Sequence, residues 1–261
     1  MTADLHTHSG FSTDSDEPLE EMVKAAKEKG LQALCITEHM DMDYPGGEFI
    51  LNTENYRKEL FRVREQTPDI ELLFGVELGL MDYLAPKLNE YSKAWDFDFI
   101  IGSSHLVDGQ DPYYPEYFQK LGSKNGILRY FESILANIKA MDCFDVYGHL
   151  DYVVRYSPEK SYDPVDYREI IDEILRLLIE KGKGIEINTA GLKSGIGYVH
   201  PHVFILQRYK ELGGEIVTVG SDAHDKSRVA ADLDKAQAAL TAAGFTYYAI
   251  FRERKPNFVV I

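Results

Sequence analysis

The chain has 261 residues, with 28 basic against 43 acidic side chains and a formal charge of −15, which disfavours a nucleic-acid backbone as partner. At 44% hydrophobic and 12% aromatic it can bury a sizeable core, which excludes a disordered segment. No apolar run approaches the roughly 20 residues that span a bilayer, and the N-terminus has neither the basic nor the apolar region of a signal peptide, so a cytoplasmic protein without a membrane partner is expected.

Strand-like segments are expected at residues 3–8, 33–39, 71–79, 97–105, 144–150, 184–189 and 215–222. Helical patterns separate them. The first, "EPLEEMVKAAKEKG", has Pro near its start and Gly at its end, the usual helix asymmetry. "TENYRKELFRVREQ", "LAPKLNEYSKAW", "GILRYFESILANIKAM", "PVDYREIIDEILRLLIEKG", "PHVFILQRYKELGG" and "DLDKAQAALTAAG" continue the series. Strand and helix in regular alternation predict a parallel sheet with helical crossovers. No linker or composition break divides the chain, so a single domain over residues 1–261 is expected. The end, "YYAIFRERKPNFVVI", reads as a pair of short strands or a strand-turn extension. Cys35 and Cys143 both sit in strand-like stretches and read as small core residues, with a ligand role for Cys35 left open.

What ends each strand is the informative feature. The first ends in His6 and His8, which share a face because a strand repeats every two residues. The second ends in Glu38 and His39, the third in Glu77, the fourth in His105 and the fifth in His149. The sixth carries Glu186 and Asn188, and the seventh leads to Asp222 and His224. In a parallel barrel the C-terminal strand ends converge on one face, so these scattered residues become neighbours.

Taken singly, each piece has a plainer reading. A lone His-x-His is more often a surface pair, and Ser-Asp-Ala-His suits a turn or a cap. Six of eight histidines at strand ends make coincidence implausible; the other two, His200 and His202, read as structural or loop residues. Imidazole and carboxylate without thiolate suit zinc, iron or manganese rather than the oxygen shells of calcium or magnesium. Six histidines exceed what one tetrahedral zinc uses, so at least two ions are implied.

The ordered set "HTHS", "TEH", "GVE", "SSH", "GH" followed by Asp, and "SDAH" resembles the polymerase and histidinol phosphatase (PHP) superfamily. "GFSTDSD", "IIGSSHLVDG", "GHLDYVVRY", "IEINTAGLKSG" and "GSDAHDKSRV" are similar to its histidinol-phosphatase branch. The resemblance implies a distorted seven-stranded parallel (β/α)7 barrel holding two to three divalent transition-metal ions (Zn, Fe or Mn). It implies one ion on His6, His8, Glu77 and Asp222, a second on His105 and His149 with Glu77 bridging, and a third on Asp14, His39 and His224. For Asp14, in the loop "STDSDE", helix capping is the competing role. Glu38 faces away from His39 in a regular strand and reads as a supporting contact.

The implied reaction is hydrolysis of a small phosphorylated substrate, L-histidinol phosphate in histidine biosynthesis, by a water shared between metals. The alternatives are a PHP-type enzyme acting on another phosphate ester or a nucleotide and, least favoured, a metal-binding domain without catalysis. Three divalent ions against Asp14, Glu77 and Asp222 would leave a locally positive site in an acidic protein. Arg155 resembles the family's phosphate-binding arginine and would act in catalysis with Glu77; its planar fork suits phosphate. Lys193 stands where these phosphatases commonly carry arginine and would hold phosphate only as a point charge. The loops after strands one, two and four bring Phe11, Asp16, Asp41, Asp43, Tyr44, Asp108, Asp111, Tyr113 and Tyr114 towards the rim, where carboxylates and aromatic faces suit an ammonium and an imidazole ring.

Overall fold

Strands covered by helices on one side and by a barrel interior on the other must be apolar along nearly their whole length. The segment "ALCITEHM" meets this requirement. In a computed structural model describing residues 1–159 and 162–261 it forms β2 (Ala33–Met40), with every residue but His39 buried. The other strands are β1 (Ala3–Thr7), β3 (Glu71–Gly79), β4 (Phe99–Ser103), β5 (Val146–Tyr147), β6 (Gly184–Asn188) and β7 (Val217–Gly220). All seven pair in parallel and in sequence order. The seam between β7 and β1 is closed by a bridge from Thr7 to Ala223 and by Asp222 N–H donating to the His6 carbonyl at 2.8 Å. The result is a nearly closed, distorted (β/α)7 barrel.

The crossovers are α1 (Leu19–Glu28), α2 (Thr53–Gln66), α3 (Ala85–Ala94), α4 (Pro115–Leu121), α5 (Ser123–Ala140), α6 (Arg168–Glu180), α7 (Ala190–Lys193), α8 (Val203–Glu211) and α9 (Leu233–Ala242). Helix α2 starts where the Asn52 side chain accepts the Asn55 N–H, and α8 where the His202 ring accepts that of Phe204. Such caps satisfy donors that the helix leaves open. Two short helices, α4 and α7, lie in stretches where no helix is expected from periodicity. Among the described residues no helix is long and apolar enough to cross a membrane.

Three strands, β4, β5 and β7, are markedly shorter than their sequence pattern. In β5 the ladder stops at Tyr147, because the chain bends so that His149 reaches a φ of 22°. At the other end of that strand the Asp145 carboxylate, not the ladder, takes the Ile100 N–H. Asp98 does the same for Phe74 ahead of β4.

The last residues form the antiparallel hairpin β8 (Tyr247–Arg252) and β9 (Lys255–Val260). It packs on the N-terminal ends of the barrel strands. Arg252 pairs with Glu71 and Arg254 with Asp145, and Phe251 stacks on Phe99 with ring centroids 5.0 Å apart. With that end plugged, the strands' C-terminal ends are left to carry the site.

Candidate metal centre

Register explains why the site forms. His39 and Glu77 are direct partners across β2 and β3, and β1 places His6 and His8 on the same side with rings 5.1 Å apart. Glu77 lies at the middle of the arrangement and is fully buried. Its Oε2 is 3.1 Å from His6 Nε2, 3.6 Å from His8 Nε2 and 3.0 Å from His39 Nδ1. Its Oε1 is 3.2 Å from His105 Nε2 and 3.0 Å from His149 Nε2, and accepts the Ser103 hydroxyl at 2.6 Å. Asp222 Oδ1 stands 3.7 Å from His6 Nε2 and 3.4 Å from His8 Nε2. On the outer side, Asp14 Oδ2 is 3.1 Å from His224 Nε2 and 3.6 Å from His39 Nε2.

These spacings suit ions. Bonds of about 2.0–2.1 Å in tetrahedral geometry place donors roughly 3.3 Å apart. His6 Nε2, His8 Nε2, His39 Nδ1 and Glu77 Oε2 are buried without a hydrogen bond even though they lie so close together. Buried polar atoms are almost always partnered. Atoms at this separation that do not aim at one another aim at common points between them. Three donor groups meet that description among the described residues: His6, His8 and Asp222; His39, Glu77 and His105; and His8, His39 and His224. His39 offers Nδ1 inward and Nε2 outward, so it borders two groups.

Electrostatics show the same concentration of charge. Burial works against ionising Glu77, yet His6, His105 and His39 hold its carboxyl well below the usual range. His6 is buried too, but Glu186, Glu77 and Asp222 raise its ring well above the ordinary value. His8 goes the other way, lowered by burial and by the rings of His39 and His224. A neutral His8 beside ionised carboxylates is the form in which imidazole binds a metal.

Contacts that strand-end spacing does not reveal support the donors. His105 Nδ1 is 2.8 Å from Asp41 Oδ1, so Asp41 lies beneath the ring as well as at the cavity wall. Glu186 takes His6 Nδ1 at 2.5 Å. Glu38 turns away from the donor groups and accepts the Ser9 and Ser12 hydroxyls; burial pushes its carboxyl up to about 7 against those hydrogen bonds. Ser12 Oγ in turn accepts the His39 N–H at 3.0 Å. The signal for these roles was a carboxylate or hydroxyl inside an otherwise apolar strand or the loop that follows it. His200 pairs with Asp151, buried and in none of the three donor groups, and His202 caps α8. Cys35 is buried and belongs to none of the three donor groups.

A cavity of about 380 Å³ opens above the donors. Asp41, Tyr44, Asp111, Tyr113 and Tyr114 line it, as do Glu48 and Phe49, which loop position alone does not single out. Phe11, Asp16, Asp43 and Asp108 are not part of the lining. Asp108 pairs with Arg129, Asp43 accepts the Tyr83 hydroxyl and Phe11 packs on Tyr56. Tyr44 donates to Asp111 Oδ2 at 2.7 Å, joining the loops after β2 and β4. Among the described residues Arg155 is the one arginine or lysine in the lining. Its guanidinium lies 3.8 Å from the centre of the Tyr152 ring and 4.9 Å from that of Tyr156. Lys193 is exposed at the end of α7 and stands outside the lining.

Residues 4–190 match the PHP domain family. The chain belongs to that family. This PHP domain is 34% identical to a histidinol-phosphatase of Lactococcus lactis, over 97% of this chain and 95% of the other. It is 35% identical to a protein of Clostridium acetobutylicum named "Probable histidinol-phosphatase", over 88% and 89% of the two chains. The crystal structure of the histidinol phosphate phosphatase from Lactococcus lactis, complexed with zinc, L-histidinol and phosphate, superposes with a TM-score of 0.91 at 32% identity and 98% coverage of both chains. The crystal structure of a Listeria monocytogenes protein named "putative histidinol phosphatase hisK" shares the fold at a TM-score of 0.76 and 22% identity.

Proposed function

We propose that this PHP domain is a metal-dependent phosphomonoesterase that hydrolyses L-histidinol phosphate to L-histidinol and phosphate. The observation that carries the reading is the convergence of nine donor residues on and around Glu77 beneath a cavity whose wall holds Arg155. Similarity to histidinol-phosphatases over nearly the whole chain supports the substrate.

In this reading His6, His8, Glu77 and Asp222 hold one divalent ion, Glu77, His105 and His149 a second, and Asp14, His39 and His224 a third. Bound ions of this kind activate water for in-line attack and neutralise charge on the phosphoryl oxygens. The chain does the remaining work. Glu77, kept ionised by its histidines, holds the donor groups in one register. Arg155 presents its fork to the phosphate and is held over the Tyr152 ring, so little side-chain freedom is lost on binding. Glu48 and Asp111 put negative charge in the cavity wall, suited to an ammonium and an imidazolium, while Tyr44, Phe49 and Tyr114 offer ring faces. Lys193 contributes long-range positive potential at most, because it stands outside the cavity.

The test is selectivity. Binding at the far side raises the rate only by holding the ester in register, so it is read in kcat/KM. The value for L-histidinol phosphate should exceed that for p-nitrophenyl phosphate or a nucleoside monophosphate by at least ~100-fold, on the order of 2.7 kcal/mol. Equal values on all three would leave a general phosphoesterase. Elemental analysis of protein prepared without chelator should find two to three transition-metal ions per chain; fewer than two, unrestored by added zinc, iron or manganese, would remove the metal centre itself.

A further inference from the structure

Glu186 is a buried carboxylate with no part in the reaction described above. It lies in β6, is 1% exposed and does not reach the cavity lining. Three donors close on it. His6 Nδ1 stands 2.5 Å from Oε1, while Oε2 receives the His149 backbone N–H at 3.0 Å and the Asn188 amide at 3.3 Å. Neighbouring strands leave room for it. A Cβ added at Gly220 would overlap His6 Cβ and come within 2.9 Å of Glu186 Oε1, and one at Gly148 would come within 3.5 Å of Oε2 and overlap Ser103 Oγ.

We propose that Glu186 is a positioning residue that fixes the aim of two histidines belonging to two different ion sites, an inference that rests on the metal-centre reading above. With Glu186 Oε1 2.5 Å away and the carboxylate oxygen as acceptor, Nδ1 is the nitrogen of the His6 ring that donates. That leaves Nε2 to give its lone pair to a bound ion, and it is the atom 3.1 Å from Glu77 Oε2 that has no hydrogen-bond partner of its own. A carboxylate behind a histidine ligand in this way fixes both tautomer and ring plane. For His149 the hold is through the backbone. At a φ of 22° this residue sits where non-glycine residues are uncommon, and the bond to Oε2 pins that turn, keeping Nε2 at 3.0 Å from Glu77 Oε1. Glu77 therefore joins the two sites from the front and Glu186 from behind.

An amide cannot replace it. Gln at this position presents one oxygen and one NH2 group, so it accepts from His6 Nδ1–H or from His149 N–H, but not from both. The experiment is titration of chelator-stripped protein with Zn²⁺ in competition with a chromophoric chelator. Glu186→Gln should weaken two ions by 10- to 100-fold and leave the ion at Asp14, His39 and His224 at its wild-type affinity. A folded Glu186→Gln chain with wild-type affinity for every ion would overturn the assignment while leaving the metal centre standing. A wild-type chain that takes up no Zn²⁺ would overturn both. Should the variant not fold, long-range ¹H–¹⁵N correlation of histidine-labelled wild-type protein decides the matter: the Nδ1–H tautomer at His6 supports the role, and the Nε2–H tautomer refutes it.

Discussion

At the N-terminal end of the barrel strands, Asp145 takes Arg254 and the Ile100 N–H, Glu71 takes Arg252, and Asp98 takes Arg64 and the Phe74 N–H. Each charge there meets an opposite one with hydrogen bonds directed from donor to acceptor. At the C-terminal end, His6 Nε2, His8 Nε2 and His39 Nδ1 crowd within 3.0–3.6 Å of Glu77 Oε2, and none of these four atoms makes a hydrogen bond. Both ends concentrate charge. Paired geometry marks the end that holds the fold together, and convergent geometry the end that holds something else.

The largest expected effect tests the convergent end. Glu77→Gln removes the charge that joins the donor groups, and kcat should fall by at least ~1000-fold, about 4 kcal/mol, with loss of metal content measured on the same preparation. Normal turnover would mean that the convergence at Glu77 has no catalytic meaning. Next, Arg155→Ala should leave the ions in place and weaken inhibition by inorganic phosphate by about 1.5–3 kcal/mol, the worth of a charge-assisted hydrogen bond. Metal loss in this variant would move Arg155 from the phosphate to the ions.

The paired end should respond in the opposite sense. Arg254→Ala strands a carboxylate that burial already pushes up, so stability to urea should fall by about 1–2 kcal/mol, reduced from the fully buried case because Arg254 is 29% exposed. The kcat of the protein that remains folded should be unchanged; a drop would mean the two ends are coupled. The smallest effect belongs to Asp172 and Arg208, which join α6 to α8 by two hydrogen bonds of 2.9 and 2.7 Å. Arg208 holds the Asp172 carboxyl below its usual range. A carboxylate lowered in the folded state stabilises fully above its unfolded value and loses that contribution as pH falls through the lowered one. Asp172→Asn should cost about 0.5–1 kcal/mol at pH 7 and progressively less as the pH approaches 3. A cost that stays constant over that range would remove the ion pair as its cause.

The sequence by itself determined the alternation of strands with helices and the residues that end each strand, while the barrel and the grouping of its donors followed from resemblance to the PHP superfamily. Buried strands and amphipathic helices leave periodic signatures, and a parallel barrel gathers its strand ends on one face, so His6, His39, Glu77, His105 and Asp222 were legible as neighbours before any fold was drawn. The C-terminal hairpin was legible for the same reason. Short elements were not: α4 and α7 are too brief to show a period, and β5 stops at two residues because its turn is pinned by Glu186 rather than by its own side chains. Nor did spacing show which loop residues meet the cavity. Asp41 and Asp43 are two positions apart, yet one lies under His105 and the other bonds Tyr83. Arg155 follows β5 and Lys193 follows β6, both beyond C-terminal strand ends, and only Arg155 reaches the cavity. Strand direction is a local property of the chain. Loop reach and the partner of a buried carboxylate depend on contacts between residues far apart in sequence, such as Glu186 and His6, and only the folded barrel decides those.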